Sequence, residues 1–114
     1  MTRVQNEEKW RWGESLLACF DDLSGEFTAM EPPILDREII PDLAGSPNGL
    51  VLWLICAKSA DVPRMSSRNN SLRCMVIDAM ARRGFAAEAR DSLRLFFTSH
   101  EDIEAGGGRF FFFR

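Results

Sequence analysis

Apolar residues at Trp12, Leu16, Cys19, Phe20 and Leu23 follow one another at offsets of four, seven, eight and eleven, the stripe of one helical face. The pattern predicts a helix from about Glu7 to Leu23, with Asn6 as N-cap and Ser24-Gly25 as its end. A second stripe, Leu72, Met75, Val76, Ala79 and Met80, predicts a helix over Ser71 to Arg83. Ser71 is placed to cap it, and Gly84 stands where a left-handed C′ residue is wanted, with Phe85 next to make the usual apolar contact.

Two segments carry strand patterns. Leu93, Leu95 and Phe97 alternate with Arg94, Phe96 and Thr98, as in a half-buried strand over Ser92 to Thr98. Leu50 to Ala57 is apolar on both faces, which suits a central strand. Its length leaves a short buried helix open. Arg109 to Phe113 reads as a last strand, folded back on the preceding one across a polar Ser99 to Gly108 loop. Glu26 to Ser46, interrupted by Pro32-Pro33 and Pro41, is irregular, with short extended pieces at 27–30 and 37–40. Lys58 to Asn70 is a polar loop, and Ala86 to Asp91 adds a helical turn. The expectation is one α+β domain spanning 1–114. It is a small antiparallel or mixed sheet of three to five strands packed on two main helices, ending in a C-terminal β-hairpin.

Composition narrows the setting. Apolar residues make up 46% of the chain, including nine Phe, which is enough for a core. The apolar run Gly49 to Ala57 is far shorter than the roughly 20 residues of a membrane span, and the charged N-terminus has no apolar leader pattern. Three widely spaced cysteines do not form a disulfide framework, so a reducing, cytoplasmic setting is expected.

Charge is divided between the two halves. Residues 1–57 carry ten acidic and four basic side chains, whereas 58–114 carry seven acidic and ten basic. Such a split presents either two solvated faces or a contact surface of one sign. The acidic stretch contributes Asp21, Asp22, Glu26, Glu31, Asp36, Glu38 and Asp42 as candidate partner-binding residues. Trp10, off the main stripe of the first helix, and Phe111 and Phe113, on the terminal strand, add aromatic anchors. An aromatic edge strand can take up a strand of another chain, or pair with a second copy as a homodimer.

Catalytic signals are thin. His100, Glu101, Asp102 and Glu104 read as a solvated loop, and one His with scattered Cys lacks the close ligand pairs of a zinc site. Cys56 and Cys74, the only thiols to set against His100, sit in apolar or amphipathic segments where thiols are inert. Gly106-Gly107-Gly108 precedes an expected strand, whereas a phosphate cradle opens onto a helix. No cofactor and no metal follow from these residues.

Two function classes remain. The first is a non-catalytic protein-interaction domain, an adaptor or an inhibitor, analogous in type to the small acidic inhibitors carried by phages and mobile elements. It would act through the acidic segment and the aromatic edge strand. The alternative is a winged-helix-like nucleic-acid-binding regulator. In that reading Leu50 to Ala57 is a helix, Ser99 to Gly108 is the wing, and Arg64, Arg68, Asn69, Asn70 and Arg73 meet the nucleic acid.

Overall fold

The computed structural model describes residues 3–40 and 51–113. Its elements run α1 (Arg3–Thr28), β1 (Asp36–Ile40), β2 (Val51–Cys56), a 3-10 turn (Ser59–Asp61), α2 (Val62–Ser66), α3 (Asn69–Arg82), α4 (Ala87–Asp91), β3 (Arg94–Ser99), α5 (His100–Ala105) and α6 (Arg109–Phe112). The architecture is α+β, with a three-stranded mixed sheet among the described residues.

Helix α1 runs through Ser24-Gly25, where the sequence predicts a stop. Glycine inside a helix costs about 1 kcal/mol, an amount tertiary packing can offset. Here the apolar stripe continues for another turn, and Phe27 extends the Leu16, Cys19, Phe20, Leu23 face into the core with no exposed surface. The Thr28 hydroxyl donates back to the carbonyls of Ser24 and Gly25 at 2.9 and 3.2 Å, closing the last turn. Helix α3 starts two residues before the predicted Ser71 but ends as its sequence predicts. Gly84 takes φ of +85°, its N–H donates to the Ala81 carbonyl, and the Phe85 N–H donates to the Met80 carbonyl. That pair of bonds is a Schellman end.

Within the Leu50 to Ala57 run, Val51–Cys56 is a strand. β2 lies at the centre of the sheet, antiparallel to β1 and parallel to β3. A parallel pair needs a long crossover, and α2, α3 and α4 supply it. Alternation along β2 divides the sheet into two faces. Leu52, Leu54 and Cys56 are fully buried and join Leu16, Phe20, Leu23 and Phe27 of α1 and Leu72, Val76 and Met80 of α3 in one core. The other face carries Trp53, aligned with Glu38 of β1 on one side and Phe96 of β3 on the other.

The predicted C-terminal hairpin is not formed. His100 to Ala105 is helix α5, started by a reciprocal cap. Ser99 Oγ accepts from the Asp102 N–H at 3.1 Å and donates to the Asp102 carboxylate at 2.8 Å. The glycines end this helix. Gly107 and Gly108 take φ of +93° and +94°, and the Gly107 and Gly108 N–H groups donate to the Glu104 and Ile103 carbonyls. A second Schellman end thus turns the chain, and the phenylalanine run continues as one helical turn, α6, instead of a strand. The run of four Phe could not report this, because identical residues fit either period.

Candidate interaction face

The acidic candidates are largely bound to arginines from the other half of the chain. Asp22 on α1 forms a two-pronged pair with Arg83 after α3, at 2.7 and 2.8 Å. Hydrogen bonds from Arg83 hold the Asp22 carboxyl below its ordinary value, and the same contact raises Arg83. Glu31 lies 4.0 Å from Arg64, which also reaches Asp61 at 3.7 Å. Asp36 and Glu38 both face Arg109, at 2.7 and 2.5 Å. Asp21 and Glu26 are exposed on α1. Asp42 and the side chain of Trp10 lie outside the described residues. Among the described residues the charge split is therefore in good part a set of cross-fold pairs.

Arg109 is the centre of a clasp. Besides the two carboxylates, its Nη2 donates to the backbone carbonyl of Arg37. The Arg37 N–H is in turn taken by Asp36 Oδ1 at 2.8 Å. Both backbone groups of Arg37 are thus occupied by side chains, which blunts the outer edge of β1 at this point against strand addition. Burial pushes the Asp36 carboxyl up, but the hydrogen bonds from Arg109 and from the Arg37 N–H outweigh it and hold the group below its ordinary 3.8. A carboxyl lowered in the folded state contributes stability that is present above the unfolded value and lost as pH falls through the folded one. Resistance to urea should therefore be flat near neutrality and decline below about pH 4. Asp36→Asn should make that decline shallower; an identical acid profile for the variant would remove Asp36 from the account.

Over Trp53 the rings assemble. Phe96 stacks at 5.1 Å with 31° between planes, while Phe112 and Phe113 meet Trp53 edge-on at 5.8 and 5.3 Å and each other at 4.9 Å. Such tilted and edge-to-face pairs add about 0.5–1.5 kcal/mol each beyond area burial. Phe113, expected on a strand edge, belongs to this cluster, and Phe111 is 61% exposed on α6. Phe96 is 44% exposed although it sits in the cluster. Trp53, Phe96 and Arg109 were not among the sequence candidates. The alternation of β2 did place Trp53 opposite the Leu52 and Leu54 face, so that signal was present; nothing local pointed to Arg109.

The arginine cluster divides. Arg68, Asn69 and Asn70 are exposed at the start of α3. Arg64 is engaged by Glu31 and Asp61. Arg73 is structural. Its Nε donates to the Leu93 carbonyl at 3.3 Å, and its Nη2 donates to those of Arg90 and Asp91 at 3.3 and 2.9 Å. The guanidinium thereby closes the C-terminal end of α4, where cations are favoured. Arg73→Met keeps the stem but removes three charged donors, and should lower unfolding stability by about 1–2 kcal/mol after allowance for partial exposure. Chemical denaturation would measure it, and an unchanged midpoint would mean that water replaces the bonds. The helix-helix-helix order of a winged helix is not present, since β2 is a strand and the predicted wing is α5.

Cys19 and Cys56 are buried, and burial raises both thiols. Cys56 donates to the Lys58 and Thr98 carbonyls at 3.4 and 3.6 Å. Cys74, expected to be buried on its helix, is exposed, since it falls between stripe positions. Among the described residues no group of three or more His, Cys, Asp or Glu side chains could hold a metal ion, and no helix is long and apolar enough to cross a membrane. No protein-family model matches this chain, and no curated protein or solved structure is similar to it.

Proposed function

We propose that this chain is a non-catalytic protein-interaction domain, an adaptor or an inhibitor, that meets its partner through the aromatic face around Trp53. The observation that carries the reading is Phe96, a large ring left 44% exposed on the sheet face where Phe112 and Phe113 meet Trp53. Aromatic side chains anchored at one edge and open at the other are the usual hot spots of interfaces. Cys19 and Cys56 are buried with raised pKa values, and Cys74 is exposed on α3. Asp21 and Glu26, exposed on α1, lie across the sheet from Trp53, so an acidic contact there would be separate from this face. The nucleic-acid alternative rests on Arg68, Asn69 and Asn70.

The test is capture of a partner from nuclease-treated lysate with the unaltered chain, repeated with Phe96→Ser. The substitution is at a half-exposed position; it loses the ring pair with Trp53, about 1 kcal/mol, and should leave the chain folded, as chemical denaturation would check. Partner affinity should fall by roughly tenfold or more, the loss typical of a central aromatic. A partner held equally well by Phe96→Ser would remove this face from the proposal. Capture that occurs only without nuclease would favour the Arg68 surface.

A further inference from the structure

Residues 109–113 behave toward the sheet as a bound peptide does toward a receptor. They follow a glycine turn, and their contacts fall into two parts: a guanidinium on a carboxylate pair, and two rings on a tryptophan. Arg109 bonds Asp36 and Glu38 of β1. Phe112 and Phe113, three and four residues on, lie edge-on against Trp53 of β2. One helical turn places these groups on one side, since positions three and four apart are neighbours on a helix. The lead-in is Gly106-Gly107-Gly108, with positive φ at the last two, and a Cβ at Gly108 would meet nothing within 4 Å.

Resting on the interaction reading above, we infer that the Trp53 face, with Asp36 and Glu38 at its rim, recognises a segment of another protein. The segment carries an arginine followed at the third and fourth positions by aromatic rings, and residues 109–113 occupy the same seat within the chain. The seat specifies its occupant by charge and by shape. Two carboxylates on alternate positions of one strand accept the forked donors of a guanidinium, which an ammonium cannot match. Trp53, flanked by Phe96, offers ring edges and faces beside them. The partner's segment would displace α6 and extend its contact onto the exposed ring of Phe96.

The probe is a dye-labelled synthetic peptide of residues 106–114, titrated by fluorescence anisotropy against the full chain. In the unaltered chain the tethered segment competes at an effective concentration of the order of millimolar, so a peptide of roughly 100 µM affinity binds about tenfold more weakly than to an open seat. Arg109→Ala with Phe113→Ala opens the seat, and should bind the peptide about tenfold more tightly than the parent does. Adding Glu38→Gln to the open chain should reverse that gain. A folded open chain that ignores the peptide overturns the inference, as does binding indifferent to Glu38→Gln. Should the open chain fail to fold, Glu38→Arg in the full chain is paired with a peptide carrying Arg109→Glu. Preference for the exchanged peptide over the original supports the seat, and equal binding overturns it. A dimer of the unaltered chain that the peptide dissociates would assign the seat to a second copy and overturn the partner assignment. Peptide failure combined with partner loss in Phe96→Ser would remove this inference alone and leave the interaction reading standing.

Discussion

Phe27→Ala should lower the unfolding free energy by about 3–5 kcal/mol, a large share of the 5–15 kcal/mol that holds most domains together. The ring is fully buried at the end of α1 and packs on Phe20 with centroids 5.3 Å apart. Removing it forfeits the transfer energy of an aromatic ring and leaves a cavity that neighbours from three elements cannot close together. The site is also a junction. The Phe27 carbonyl accepts from the N–H groups of Met30 and Ile34 at 3.3 and 3.0 Å, so the turn that leads to β1 is built on this residue. Urea denaturation followed by circular dichroism measures the loss. A drop below about 1 kcal/mol would mean that Gly25 marks the functional end of the helix and that the last turn is dispensable.

Trp53→Ala is expected to cost about 2–4 kcal/mol, somewhat under the range for a fully buried aromatic because Trp53 is half-buried. Its effect should also be local. Trp53 is the ring on which Phe96, Phe112 and Phe113 meet, whereas the α1 and α3 core lies on the opposite face of the sheet. Without it α6 is left with the Arg109 clasp, and that clasp is 41% exposed on the arginine side, where ion pairs contribute little. Trypsin cleavage after Arg109 should accelerate severalfold under native conditions, because cleavage follows the population of the opened form. The far-ultraviolet spectrum should stay close to that of the parent. Cleavage at the parental rate would show that the clasp alone retains α6, and would move the weight of the seat from the rings to the carboxylates.

These expectations separate two layers of information. Local layers were legible. The helical stripes at Leu16 to Leu23 and Leu72 to Met80 are core faces, because a 3.6-residue period of apolar groups has one way to leave water. Gly84 ends α3 with positive φ because a left-handed position excludes most other residues, a requirement carried by one residue alone. The alternation of Leu93 to Phe97 located β3 to within two residues. The apolar run at Leu50 to Ala57 was compatible with strand and helix alike. Only its burial between two neighbours selected the strand.

Tertiary structure decided the rest, and the reason is the same at each place. Phe110 to Phe113 carries no period, so its conformation follows from the glycine turn before it and from Trp53 opposite it, not from its own composition. The charge division looked from the sequence like a surface of one sign. In the fold, Asp22 meets Arg83 from 61 residues away, and Asp36 and Glu38 meet Arg109 from 73 and 71 residues away. Such pairs depend on which elements become neighbours, and no spacing along the chain encodes them. By itself, then, the sequence determined the two main helical stripes, the glycine stop of α3 and the place of β3, since those follow from each segment's own periodicity and sterics. Which carboxylates are already neutralised, which rings remain open, and that the last phenylalanines fold onto the sheet as a helical turn were decided by contacts between segments far apart in the chain.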